Sequence, residues 1–303
     1  MEDDPRLPML NRVTQGLYPT GSIFKSVTSI AAIDSGIYTP DTTYFCNGSW
    51  QGVITRFDWL PGGHGSLDVA GAITNSCNPY YYEAGLQLHL VDPNLIAIYS
   101  ARMGLGGTTG IQDVAESPGY IGTENLILQI TGYPMTSVDS VSMAIGQGHV
   151  SLSPLQMVRF YAGVANGGNL LRPQLVESTR LIDDISYQMQ PDIMANFDVV
   201  PEAIEAVQIG MCDVTSTPRG TAEFVFRNSE LQTLGVCGKT GTATDESPNP
   251  GLPHAWFAAY APAENPQIAI ITMVENSGQG SEVAAPIARE ILEYYFFGAE
   301  DAR

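Results

Sequence analysis

The sequence predicts an α/β sandwich carrying an inserted helical lobe. Two observations predict it: a long, largely helix-patterned stretch from Ser22 to about residue 214, and then three strand-like segments followed by one closing helix. Helices that precede and follow a short run of strands must cover the faces of one sheet. The chain has 303 residues, enough to bury a real core, and its 44% hydrophobic and 15% charged composition excludes disorder. No stretch approaches the ~18 apolar residues of a membrane helix. Met1 is followed at once by Glu2, Asp3 and Asp4, which is not a basic-then-apolar leader. A formal net charge of −19 argues against nucleic acid as a partner, because phosphate contacts need lysine and arginine clusters.

Taken in order, the segment ahead of Ser22 is turn-like, with Pro5, Pro8, Gly16, Pro19 and Gly21. SIFKSVTSIAAIDS then reads as a buried helix, apolar at Ile23, Phe24, Val27, Ile30, Ala31 and Ile33, and stopped at Gly36. Residues 36–66 are rich in Gly, Thr, Asn and aromatics and read as irregular. LDVAGAITNS (67–76) reads as a helix with Asp68 in its first turn, and Pro79 can occupy the first turn of PYYYEAGLQLHL. Residues 92–150 mix short helices with glycine-rich turns. In residues 152–168, Ser153 can cap a helix, Pro154 opens it, and Gly167 and Gly168 close it. PEAIEAVQIGMCDV (201–214) is another helix. LGVCGKTGTA, HAWFAAYAP and QIAIITMVEN read as strands, and VAAPIAREILEYYF as the terminal helix. The whole chain, 1–303, is expected to form one domain with its helical lobe at roughly 37–150.

The cysteines, Cys46, Cys77, Cys212 and Cys237, have no C-x-x-C spacing. They permit three disulfide pairings and read best as small buried hydrophobes. The histidines, His64, His89, His149 and His254, form no paired ligand motif, so no metal and no cofactor is assigned.

Lysine usage singles out two positions. Eleven of the 13 basic residues are arginine, and the only lysines are Lys25 and Lys239. A desolvated lysine can lose its proton, whereas arginine effectively cannot. Lys25 completes an S-x-x-K with Ser22, whose residues share a helix face, so that the amine can activate the hydroxyl. A serine at a helix N-terminus also sits among free N–H groups that favour developing negative charge. Ser76 and Asn78 form an S-x-N between two helices. They could present two polar groups to one cleft, or could simply cap the helix before Pro79. Lys239, Thr240 and Gly241 form a K-T-G, extended to GKTGTA. Gly241 permits close approach of a substrate backbone, and Thr240 and Thr242 offer hydroxyls for a carboxylate. A phosphate-binding loop is excluded, because the glycine it needs five residues before Gly238 is Thr233.

S-x-x-K, S-x-N and K-T-G in this order are the set found in penicillin-binding proteins and serine β-lactamases. Over nearly its whole length the chain resembles the transpeptidase domain of class B penicillin-binding proteins. The resemblance is carried by NRVTQGLYPTGSIFK, GGHGSLDVAGAITNSCN, IGQGHVSLSPLQM, GKTGTA, HAWFAAYAP and VAAPIAREIL. GGHGSLDV and IGQG are most similar to the elongation type. The resemblance implies a β-lactamase/transpeptidase-like sandwich, with a mainly antiparallel sheet flanked by helices and an all-helical lobe.

It also implies roles. Ser22 would attack the penultimate D-alanine carbonyl of a peptidoglycan stem peptide, with Lys25 as base and with Ser76 and Lys239 moving protons. Asn78 would orient the acyl amide, and Thr240 and Thr242 would bind the terminal carboxylate. The backbone N–H groups of Ser22 and Thr242 would form the oxyanion hole. β-Lactams would acylate Ser22, and a cationic Lys239 would lower the pKa of Lys25. Glycosyltransferase and scaffold partners would bind outside this chain, at the extracytoplasmic face of the bacterial cytoplasmic membrane. In the family a longer stretch precedes S-x-x-K and supplies the first strands. With 21 residues ahead of Ser22, the expectation is a sheet with an exposed edge. A β-lactam hydrolase or sensor of the same fold stays open. Glu116 and Glu124 lie in the broad region of a deacylating carboxylate, without a matching context.

Overall fold

The computed structural model describes residues 7–181, 184–244 and 251–298, so the acidic start and Pro5 lie outside the described residues. A 3₁₀ turn over Gly21–Phe24 runs directly into helix α1 (Lys25–Asp34), which is buried along nearly its whole length. The stretch read as irregular contains four short strands: β1 (Tyr44–Cys46), β2 (Ser49–Gln51), β3 (Thr55–Phe57) and β4 (Gly65–Leu67). They pair β1 with β4 and β2 with β3, both antiparallel. The lobe is therefore not all-helical. Three-residue strands are too short for an alternating pattern to show in the sequence.

Helices α2 (Val69–Thr74), α3 (Asn78–Val91) and α4 (Leu95–Arg102) follow, then β5 (Tyr120–Ile121), α5 (Glu124–Thr131), α6 (Ser137–Met143) and β6 (Val150–Ser151). Asp68 is the N-cap of α2, accepting the Gly71 N–H at 2.7 Å. Helix α7 (Pro154–Ala165) opens as expected, with a reciprocal Ser153–Gln156 capping box. Four more strands went unread: β7 (Asn169–Leu171), β8 (Ser178–Leu181), β9 (Asp184–Gln188) and β10 (Ile193–Asn196). Helices α8 (Pro201–Ser216) and α9 (Glu223–Phe226) lead to β11 (Cys237–Ala243), β12 (His254–Ala261), β13 (Ile268–Val274) and α10 (Ala284–Phe297).

Strands β11, β12 and β13 form one antiparallel sheet in that order. β12 is buried at every residue, and its two faces go to two different cores. Trp256, Ala258 and Tyr260 pack with α1, α7 and α8, whereas Ala255, Phe257, Ala259 and Ala261 pack with α10. That two-residue period makes the sandwich, with helices on both faces of one sheet. Lys239 pairs with Ala258, and paired antiparallel residues share a face, so Lys239 points toward α1. Among the described residues β13 has β12 as its one strand neighbour. Cys212 and Cys237 form a disulfide joining α8 to the start of β11, so reading them as buried hydrophobes was wrong. Cys46 and Cys77 are free and buried, as expected.

Candidate active site

The nucleophile turn is held by backbone packing. Gly21 has φ +57°, and a Cβ there would lie 2.5 Å from the Thr242 carbonyl oxygen. Only glycine lets the turn sit this close to β11 in this conformation. The Gly21 N–H donates to the Gly146 carbonyl at 2.9 Å, which ties the same turn to the segment after α6. Ser22 is thus fixed between β11 and the end of α6. Ser22 and Lys25 are three apart across a 3₁₀ turn, a spacing that stacks them on one side, although the helix proper starts only at Lys25.

The three motifs meet at Ser76. Lys25 is fully buried and donates to Ser76 O at 2.7 Å, Ser76 Oγ at 3.2 Å and Asn78 Oδ1 at 2.6 Å. Lys239, also fully buried, donates to Ser76 Oγ at 2.9 Å and to Thr240 O at 3.1 Å. Ser76 has φ +52°, a left-handed conformation rare outside glycine and a form of strain that clusters at functional sites. A simple cap before Pro79 would need neither that conformation nor two lysines. The three protons of an ammonium match the three acceptors around Lys25. To take a proton from Ser22, Lys25 must be neutral and must free a lone pair.

Burial makes that neutral form accessible. It pushes Lys25 down to about 8, with the nearby Cys77, Asp58 and Cys46 partly opposing it. Lys239 is held well below the ordinary lysine value, first by burial and then by repulsion from Lys25. Burial is the first cause at each lysine, because a low-polarity interior penalises the charged amine, and the repulsion between the two ammonium groups adds to it.

Ser22, Ser76, Asn78, Thr240 and Thr242 line one cleft of about 900 Å³, and Lys25 and Lys239 lie buried behind it. Thr240 Oγ1 is fixed by a 2.7 Å hydrogen bond with Thr221 Oγ1, a residue that no sequence signal marked. Gly241 has a packing role that its motif does not reveal. A Cβ there would meet Ile23 Cγ2 at 2.9 Å and the Thr20 carbonyl oxygen at 3.1 Å. The missing side chain makes room for the nucleophile turn.

Asp58 was also missed. Its Oδ1 accepts the Asn78 N–H at 3.2 Å, and its Oδ2 accepts the Cys46 S–H at 3.2 Å. Burial alone would raise its carboxyl; hydrogen bonds from His64, Cys46 and the Asn78 N–H outweigh that and hold it below the usual carboxylate range. Cys46 Sγ, Cys77 Sγ and an Asp58 oxygen lie within 4.8 Å of one another, and His64 Nε2 is 3.0 Å from Asp58 Oδ2. Two sulfurs, an imidazole and a carboxylate are donors of the kind Zn²⁺ takes, so these are the residues that could hold a metal. They are spread over residues 46–77 without paired spacing, so no motif marks them.

The family model of the penicillin-binding protein transpeptidase domain matches residues 1–293. The chain is 32% identical to the peptidoglycan D,D-transpeptidase MrdA of Haemophilus influenzae, over 97% of this chain and 46% of that protein. It therefore spans about half the length of that relative. Penicillin-binding protein PBP2 from Helicobacter pylori, solved in complex with MreC, superposes with a TM-score of 0.83 at 26% identity, covering 98% of this chain and 53% of that one. Penicillin-binding protein A of Mycobacterium tuberculosis, solved as a ceftriaxone acyl-enzyme, gives 0.81 at 25% identity, covering 97% and 64%.

Proposed function

Because this chain belongs to the penicillin-binding protein transpeptidase family, we propose that it is a serine D,D-transpeptidase. It cross-links peptidoglycan stem peptides through an acyl-enzyme on Ser22, and β-lactams acylate it as substrate mimics. One observation carries the reading. Lys25 and Lys239, from two distant segments, both donate to the hydroxyl of Ser76 from a third.

Ser22 Oγ gives its proton to neutral Lys25 and attacks the penultimate D-alanine carbonyl carbon. The N–H groups of Ser22 and Thr242 receive the oxyanion, and the Asn78 amide orients the acyl peptide bond. The carbon–nitrogen bond to the terminal D-alanine then breaks. The departing amine takes a proton from Ser76 Oγ, which is replenished from Lys25, while Thr240 and Thr242 hold the terminal carboxylate. The amine of a second stem peptide attacks the ester and loses a proton, and Ser22 regains its hydroxyl proton. On this reading the chain works at the extracytoplasmic face of the membrane, and glycosyltransferase and scaffold partners bind outside it. Among the described residues no helix is long and apolar enough to cross a membrane.

Intact-mass measurement with a reporter penicillin tests this reading. A persistent adduct on Ser22 is expected, together with cross-linking of stem peptides. Rapid loss of the adduct with drug turnover would indicate a hydrolase, and an adduct without cross-linking a sensor. Absence of any adduct would refute the central claim.

The acylation rate should also follow pH. The base form of Lys25 fills as pH rises through about 8, so the second-order rate should climb up to that region and then level off. A profile that is flat across that range, or that falls, would remove Lys25 as the base.

A further inference from the structure

We propose that Arg56 binds a carboxylate of the donor stem peptide upstream of the scissile bond, so that the enzyme prefers donors whose upstream carboxyl is free over those in which it is amidated. The inference rests on the transpeptidase reading and specifies its substrate.

Arg56 lies in β3 and lines the cleft with Ser22, Ser76 and Asn78. Its guanidinium is held on two sides. One Nη donates to Ser142 Oγ at 2.9 Å, and the group lies 5.6 Å from the centroid of the Tyr82 ring. Ser142 belongs to α6, and the turn after α6 hydrogen-bonds the nucleophile turn through Gly146 and Gly21. The charge is therefore fixed relative to Ser22.

What Arg56 lacks is an acid. Among the described residues five arginines pair with a carboxylate: Arg12, Arg102, Arg172, Arg227 and Arg289. Arg56 does not, in a chain with 32 acidic residues against 13 basic ones. The nearest acid in sequence, Asp58, is engaged with Cys46, His64 and the Asn78 N–H. Arg56 Nε is buried and has no hydrogen-bond partner. Nη2 is taken by Ser142, so the other Nη is the donor left to reach the cleft, where a guanidinium charge binds a carboxylate through a charge-assisted hydrogen bond.

Position decides which carboxylate. The terminal one goes to Thr240 and Thr242 on the β11 wall. Arg56 stands with Asn78, whose backbone N–H is held by Asp58 two residues farther along the chain. That side of the cleft receives the acyl part of the donor. A cleft of about 900 Å³ takes far more than two alanines.

The test compares two pentapeptide donors, one with a free upstream carboxyl and one with that carboxyl amidated, on the wild-type chain and on Arg56→Gln and Arg56→Lys. The wild type is expected to favour the free acid by about 10- to 100-fold in kcat/KM. Arg56→Gln should bring that ratio to about 1, and Arg56→Lys should restore part of it. Denaturant melts confirm that the variants are folded. A wild type that consumes both donors equally overturns the proposal and leaves the transpeptidase reading standing. So does discrimination that survives Arg56→Gln and vanishes in Arg219→Gln, the exposed arginine lining the same cleft. A wild type that is acylated by penicillin but consumes neither donor overturns both.

Discussion

Replacing Lys25 with arginine should lower the rate of Ser22 acylation by about 10²- to 10⁴-fold, the range that a positioned general base supplies. The charge is conserved in this variant, so a loss must come from the proton. Arginine stays protonated at any working pH, whereas burial brings Lys25 down to about 8. The site also has little room for the larger group, because Lys25 is fully buried and already satisfies three acceptors at 2.6–3.2 Å. Stopped-flow acylation by a reporter penicillin gives the rate, and a denaturant melt of the same sample shows whether the variant is folded. A folded variant within about threefold of the parent would show that the proton leaves Ser22 by another route.

Much of this site was legible in the sequence, because its chemistry is carried by rare residue types. Two lysines in 303 residues fall in the first and third motifs, and the structure puts both on one hydroxyl. The sheet was legible for a related reason. β11, β12 and β13 are long enough for their β-branched and aromatic content to show, and the turns between them contain proline or glycine. The closing helix and α7 declared themselves through amphipathic spacing and the Ser153 cap.

What the sequence hid has a common physical cause. β1 to β4 are three residues each, and their pairing depends on the loop that brings residue 44 opposite residue 67. Gly241 packs against the nucleophile turn, a contact that K-T-G alone does not reveal. Its neighbours Ile23 and Thr20 lie more than 200 residues away in sequence. Asp58 carries no motif at all. Its importance lies in the partners the fold brings to it, the Cys46 thiol, the His64 ring and the backbone of Asn78.

Asp58 consequently gives the second large expected effect, in a residue outside the three motifs. Asp58→Ala removes the acceptor of the Asn78 N–H and of the buried Cys46 thiol. Leaving two donors without partners should cost about 2–6 kcal/mol of stability, at ~1–3 kcal/mol for each unsatisfied group. Asn78 Oδ1 is also the shortest contact of Lys25, at 2.6 Å, so a shift of the S-x-N turn moves the base as well. A displacement of ~1 Å in a reacting constellation can cost ~10²-fold in rate, and acylation should fall by that order even where the variant is folded. Asp58→Asn keeps one oxygen that can accept the Asn78 N–H, and it should recover most of the rate while remaining less stable than the parent. Denaturant midpoints and acylation rates, measured on both variants, separate the two effects. If folded Asp58→Ala acylates at the parent rate, Asp58 stabilises the lobe without positioning the site, and Asn78 must then be held by the packing of α3 alone.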